Sequence, residues 1–224
     1  MMFTNGNPWE KEYSRKGRVW GGAVHFLPPL GTGLQVLELG CGSGKTYAAL
    51  LGTGAEITGV DFSVSAVRLS RNLTAKFPKG EVIVADARHL PFADVSFDVV
   101  IAFHIVGHLP AEGRLCCARD AVRVLRPGGT LYFSGFSTED FRSGTGCETE
   151  PGTFRKKNGI STHYFTENEV VGLFGDLFCC SCDTRRWPLT VRGQQYPRAE
   201  IAAIFKKYPQ IPDKTSRSRQ IMKQ

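Results

Sequence analysis

The chain has 224 residues, of which 42% are hydrophobic and 22% charged, and it carries a net charge of +7. This length and composition suit one globular domain with an ample core, and they exclude a coiled coil, a collagen-like fibre and a disordered chain. No stretch reaches the roughly 18 uncharged apolar residues of a membrane span, and the polar start MMFTNGNPWEKEYSRKGR lacks a signal peptide's apolar run. No membrane association is therefore expected, and the expected compartment is the cytoplasm. The seven cysteines include two adjacent pairs, Cys116–Cys117 and Cys179–Cys180, which reads as reduced thiols rather than a disulfide framework.

In chain order, residues 1–33, with Pro8, Pro28 and Pro29, read as a short helical cap over a larger body. Leu34–Leu39 (LQVLEL) is a buried strand, followed by a glycine-rich turn and a helix near Lys45–Leu51. Glu56–Val60 is a second strand that runs to Asp61, and Ser63–Phe77 has helical spacing closed by Pro78. Glu81–Ala85 is a third strand ending at Asp86. Ser96–Phe103 (SFDVVIAF) is a fourth, apolar enough to be covered on both faces. A helix over Pro110–Leu125 stops at Arg126-Pro127-Gly128-Gly129, and Thr130–Phe136 is a fifth strand. This alternation predicts an α/β fold with a doubly wound, mostly parallel sheet.

Residues 137–163 break the pattern and read as a long ordered loop of the functional kind. Thr166 and Glu169 form a capping-box signature that opens a short helix to Phe174. Phe178–Thr190 and Arg198–Lys207 read as two strands of a hairpin joined by VRGQQYP. The boundaries are thus 1–33 for the cap, 34–136 for a ligand-binding core, 137–207 for the insertion, helix and hairpin of the same domain, and 208–224 for a basic tail expected to be disordered. After Phe205 stand Lys206, Lys207, Lys214, Arg217, Arg219 and Lys223 against Asp213, so this end carries +5 of the net charge.

The turn Glu38-Leu39-Gly40-Cys41-Gly42-Ser43-Gly44-Lys45-Thr46 departs from two phosphate-binding patterns. Leu39 stands where a P-loop needs its first glycine, and Lys45 where a dinucleotide fingerprint needs its third. Gly-x-Gly-x-Gly after an acid lets the backbone approach a ligand closely, with a helix N-terminus next to it. The turn alone fits a bare strand-to-helix connection equally well. The strand ends favour a ligand: Glu38, Asp61 and Asp86 place one carboxylate at each of three successive strands, where ligands of such sheets bind. Asp61 is suited to ribose hydroxyls and Asp86 to an exocyclic amine.

VLELGCGSG, ITGVDFS, VIVADARHLPFADVSFDVVIAFHIVGHL and VLRPGGTLYFSGF resemble, in order and spacing, the motifs of class I S-adenosylmethionine-dependent methyltransferases over about Gln35–Phe136. The resemblance implies a Rossmann-like seven-stranded sheet in which the C-terminal antiparallel hairpin supplies one antiparallel strand. It implies S-adenosylmethionine as cofactor and S-adenosylhomocysteine as product. Gly40, Cys41, Gly42 and Gly44 would then flank the methionine part, and Glu38 its amino group. Asp61 would hold the ribose, with Phe62 against the adenine, while Asp86 and Ala87 would meet the adenine edge. Phe103 and His104 would line the cavity near the sulfonium.

Methyl transfer from a sulfonium needs positioning and, for a protonated acceptor, a base. His104 is the expected catalytic residue, and His108 is expected to pack. The His104/His108 spacing lacks the glutamate of a helical zinc motif, and Cys179-Cys180-x-Cys182 lacks a partner pair, so no metal is expected. On that strand Cys180 and Cys182 should share a face, with Cys179 opposite.

The acceptor side is expected to comprise Trp9, Tyr13, Trp20, His25 and Phe26 together with Phe136, Phe141, Phe154, Arg155, His163 and Tyr164. A small-molecule acceptor is expected, with the protein a monomer or homodimer. An RNA or protein methyltransferase using the basic tail and Arg155-Lys156-Lys157 on nucleic acid is the alternative. A non-catalytic cofactor-binding partner subunit is a third possibility.

Overall fold

The computed structural model describes residues 7–19, 24, 26–74 and 80–208. Trp20, His25, the helix end at Phe77 and the basic tail beyond Tyr208 lie outside the described residues. Helix α1 (Pro8–Lys16) starts with proline at its first position, and the Asn7 side chain accepts from Trp9 N–H. There follow β1 (Gln35–Leu39), α2 (Lys45–Leu51), β2 (Glu56–Asp61), α3 (Val64–Thr74), β3 (Gly80–Val84), β4 (Phe97–Phe103), α4 (Ala111–Val124) and β5 (Leu125–Phe136). The chain continues with β6 (Cys147–Glu150), β7 (Thr153–Arg155), β8 (Ser161–His163), α5 (Glu167–Leu173), β9 (Phe178–Val191) and β10 (Gln194–Lys206).

The main sheet has the order β3-β2-β1-β4-β5-β10-β9. Strands β1 to β5 pair in parallel, and β10 runs antiparallel to both of its neighbours. This is the seven-stranded, doubly wound sheet expected from the sequence, with one antiparallel strand. Successive residues of β1 and β4 point to opposite faces, and both faces are covered. Tyr47, Leu50 and Val67 of α2 and α3 pack with Val36, Ile57 and Ile101. Cys117, Ala121, Val170 and Phe174 of α4 and α5 pack with Leu37, Val100 and Phe205 on the other side. The strand order reverses between β1 and β4, which opens a crevice at their carboxyl ends.

Four expectations need correction. Residues 137–163 are not a plain loop, because β6, β7 and β8 build a second, three-stranded antiparallel sheet. α4 stops at Val124 as expected, but β5 starts before Thr130 and takes in Arg126–Gly129: Phe97 pairs with Leu125 and Val99 with Thr130, so the intervening residues form an irregularity of the strand. The hairpin connection is two residues long. Arg192 and Gly193 both have positive φ, 51° and 81°, which suits a tight turn matched to strand twist. Pro188 faces Pro197 across the hairpin, so the two missing N–H donors fall on one rung and the strands continue through them. Lastly, the register shift near Phe205 places Cys179 and Cys182 together against the core and leaves Cys180 exposed. No helix among the described residues is long and apolar enough to cross a membrane.

Candidate active site

The glycine turn closes over the carboxyl ends of β1 and β2. Gly40, Gly42 and Gly44 have φ of 67°, 54° and 86°. At Gly42 the constraint is doubled, because a Cβ there would also strike the Tyr13 hydroxyl. Asp61 fastens the turn: Oδ2 accepts from Gly42 N–H at 2.9 Å and Oδ1 from Ser63 N–H at 2.8 Å. Ser70 Oγ donates to Gly42 O at 2.7 Å. The turn and α1 therefore form one wall of a cavity of about 480 Å³ that extends across the ends of β4, β5, β9 and β10.

Its electrostatics are unusual. Burial, reinforced by the charge of Asp61, pushes the Glu38 carboxyl up to about 8. Burial raises Asp61 to about 6, although the Ser63 and Gly42 amides oppose it. Among the described residues, three buried side-chain atoms lack a hydrogen-bond partner: Glu38 Oε2, His104 Nδ1 and Ser134 Oγ. All three residues line this one cavity. Buried polar groups are otherwise paired, so their convergence marks a ligand site.

Gly40, Cys41, Gly42, Asp61, Phe62, Phe103 and His104 all line the cavity with Glu38. Gly44 lies beside it as the left-handed N-cap of α2. Asp86 and Ala87 are not brought together with them. Arg88 forks onto Asp86, with Nε 3.0 Å from both oxygens and Nη2 2.6 Å from Oδ2, and Ala87 is buried in the core. That fork was visible only as a neighbouring Arg in the sequence. The Cys41 thiol is held far above its ordinary range by burial and by Glu38 and Asp61, so it is inert.

His104 has a positive φ of 59°, uncommon for a residue with a side chain. Its ring packs 4.6 Å from Phe136, and Nε2 lies 3.4 Å from Glu200 Oε2. His108 Nδ1 bonds Ser161 O at 2.8 Å and its ring meets the edge of Trp9 at 4.7 Å. Burial drops its pKa to about 4, so it is a neutral histidine on the cavity wall, packed on Trp9 of α1 rather than under the following helix. No group of three or more metal-binding side chains occurs among the described residues.

Of the expected acceptor-side residues, Trp9, Tyr13, Phe26 and Phe136 line the cavity. Phe141 instead stacks with Tyr196, Phe154 packs against Tyr164, and His163 is buried between Thr153 and Glu169. Sequence reading missed the hairpin's share: Asp183, Arg185 and Trp187 on β9, and Arg198 and Glu200 on β10. Their two-residue spacing was the available signal, since alternate residues of a strand share a face.

Residues 37–133 match the family described as "Methyltransferase domain". A solved S-adenosylmethionine-dependent methyltransferase from Methanosarcina mazei shares 26% identity over 83% of this chain and 100% of that one, with a TM-score of 0.67. Residues 37–133 thus match a methyltransferase domain, and the chain is similar over most of its length to a solved S-adenosylmethionine-dependent methyltransferase. A probable S-adenosylmethionine-dependent methyltransferase of Mycobacterium tuberculosis is 32% identical over 59% of this chain and 46% of its own. The 2-methyl-6-phytyl-1,4-hydroquinone methyltransferase of Synechocystis is 35% identical over 55% of this chain and 37% of its own. The chain thus spans less than half the length of these curated relatives. The family's cofactor is S-adenosylmethionine, and the cavity suits it: the unpartnered Glu38 oxygen fits an ammonium, and the turn lets a ligand touch backbone.

Proposed function

We propose that this protein methylates a small-molecule acceptor, using S-adenosylmethionine held at the glycine turn. The observation that carries this reading is the convergence of three unpartnered buried polar atoms on one cavity beside that turn. The hydroquinone methyltransferase among its relatives supports a small, ring-bearing acceptor. In this reading Glu38 receives the cofactor's ammonium. Asp61 receives the ribose hydroxyls on lone pairs that the amides of Gly42 and Ser63 leave free, and Phe62 and Phe103 wall the bound group. Asp86 and Ala87 keep only the support of the motif resemblance.

The bound cofactor supplies a methyl group on a sulfonium that needs no further activation. The chain's own work is positioning and exclusion of water. Trp9 and Tyr13 roof the cavity from residues 7–33, while residues 34–136 hold the cofactor. The acceptor then lies against Phe136 and His104. His104 takes up the acceptor's proton, and Glu200 Oε2, 3.4 Å from Nε2, stabilises the imidazolium.

Calorimetric titration with S-adenosylmethionine and S-adenosylhomocysteine tests the core of this reading. Micromolar binding by wild type, at least tenfold weaker in Asp61→Ala (about 1.4 kcal/mol), is expected. Folded wild-type protein that binds neither ligand would overturn it.

A further inference from the structure

At the far end of the cavity two guanidiniums share one buried carboxylate. Arg142, in the segment between β5 and β6, and Arg198 of β10 both line the cavity, and both grip that carboxylate, Asp140. Asp140 is fully buried. Its Oδ1 accepts from Arg142 Nε at 2.7 Å and from Arg142 N–H at 3.1 Å. Its Oδ2 accepts from Arg198 Nε at 2.7 Å, Arg142 Nη2 at 3.2 Å and Ala199 N–H at 3.3 Å. One guanidinium would balance Asp140, but two are present.

Among the described residues, Arg142 Nη1 and both terminal nitrogens of Arg198 have no hydrogen-bond acceptor. These donors stand over aromatic faces. The Arg142 guanidinium lies 4.0 Å from the Phe136 centroid, and that of Arg198 lies 5.4 Å from both Phe136 and Trp187. Phe136 in turn stacks on His104. Asp183 and Glu200 are the acids on this wall, and Glu200 faces His104 and feels the field of Arg185 as well as Arg198. Burial and then the charge of Arg142 lower the pKa of Lys156, with Asp140 opposing them.

We infer that Arg142 and Arg198 form a subsite for a carboxylate on the methyl acceptor, which sets its ring beside Phe136 and presents its nucleophile to His104. The inference rests on the methyltransferase reading for what the ligand is, but the anion site stands on its own geometry. A planar carboxylate fits paired guanidinium donors better than a neutral group does, because charge-assisted bonds replace water on both partners.

The test uses full-length protein and three probes of equal ring size: benzoate, benzamide and phenyl phosphate, each titrated with and without S-adenosylhomocysteine and followed by NMR. Wild type should bind benzoate at least fivefold more tightly than benzamide. Arg142→Gln and Arg198→Gln should each erase that preference while keeping S-adenosylhomocysteine affinity within twofold, which also shows that they fold. Should Arg142→Gln unfold, Arg198→Gln carries the test, since it leaves the Arg142 fork on Asp140. Equal binding of benzoate and benzamide to wild type overturns the subsite, as does a preference that survives in the folded variants. Phenyl phosphate binding more tightly than benzoate overturns the carboxylate assignment. A benzoate preference in wild type that binds no S-adenosylhomocysteine keeps the anion site and sinks the methyltransferase reading.

Discussion

Glu38 sits at the end of β1, enclosed and beside Asp61, with one oxygen unpartnered. Its carboxyl titrates at about 8 in the folded protein against 4.5 for the ordinary group. Between those values the native state holds a proton that the unfolded chain has lost. The stability that Glu38 contributes to the free protein therefore falls as pH rises through this window and levels off above about 8, with the depressed His108 opposing it below about 6.5. Asp61 adds a shift of the same sign between 3.8 and about 6. Glu38→Gln should flatten the fall above pH 6 in thermal melts, leaving only the Asp61 part below it. Ligand affinity should run the other way. An ammonium pairs with the ionised carboxylate, so S-adenosylhomocysteine binding should tighten as pH rises toward 8 in wild type and not in Glu38→Gln. A wild-type melting temperature that is flat from pH 6.5 to 8, above the range where the depressed His108 offsets the trend, would refute the raised Glu38.

Helix α1 connects three parts of the site. Glu10 accepts from Ser63 Oγ and Ser65 Oγ at 2.6 Å each, and from Ser65 N–H at 3.2 Å, so it caps α3 from another element. Glu12 accepts from Asn158 Nδ2 at 3.1 Å, which ties α1 to the β7–β8 turn. Tyr13 then lies over Gly42, and Trp9 packs against His108. Glu10→Ala should cost about 1 kcal/mol of stability, as lost helix caps do. It should also weaken S-adenosylhomocysteine binding several-fold, because the roof shifts with the helix. A lowered melting temperature with unchanged affinity would show that α1 supports the fold but not the site. The α1 contacts show what was hidden in the sequence. Strands β1, β2 and β4 announced themselves through apolar runs ending in Glu38, Asp61 and His104, since a parallel strand covered on both faces has little freedom of composition. The cap helix was legible, but not that Glu10 would serve α3, a pairing across 53 residues. The β6–β8 sheet was hidden because its strands are three or four residues long and mostly polar. Arg142 and Arg198 converge only because β10 inserts beside β5, with Glu200 opposite Phe136. No local pattern encodes that neighbourhood.

At the scale of the whole molecule, the sheet order decides what kind of acceptor fits. Placing β10 and β9 beyond β5 turns their polar alternate residues toward the crevice and walls its far side. An acceptor small enough to enter meets Phe136, Trp187 and the arginine pair together, whereas a nucleic-acid backbone would need cations along the rim. The basic end of the chain is the competing handle, and part of it already belongs to the fold. Lys207 Nζ donates to Val122 O at 2.6 Å and Leu125 O at 2.8 Å, closing the end of α4 onto β5. A deletion that tests the tail must therefore begin after Tyr208, removing Lys214, Arg217, Arg219 and Lys223 with Asp213. Four such cations on single-stranded RNA would give a slope of about −3 in log affinity against log salt. Binding of the full chain to poly(U) across a salt series, compared with the shortened chain, measures it. For a small-molecule enzyme, deletion removes whatever slope exists while S-adenosylhomocysteine affinity and methyl transfer to a ring acceptor stay within twofold. If the shortened chain instead loses transfer to RNA tenfold or more while keeping its cofactor affinity, the acceptor is a nucleic acid and the enclosed cavity receives a single flipped base.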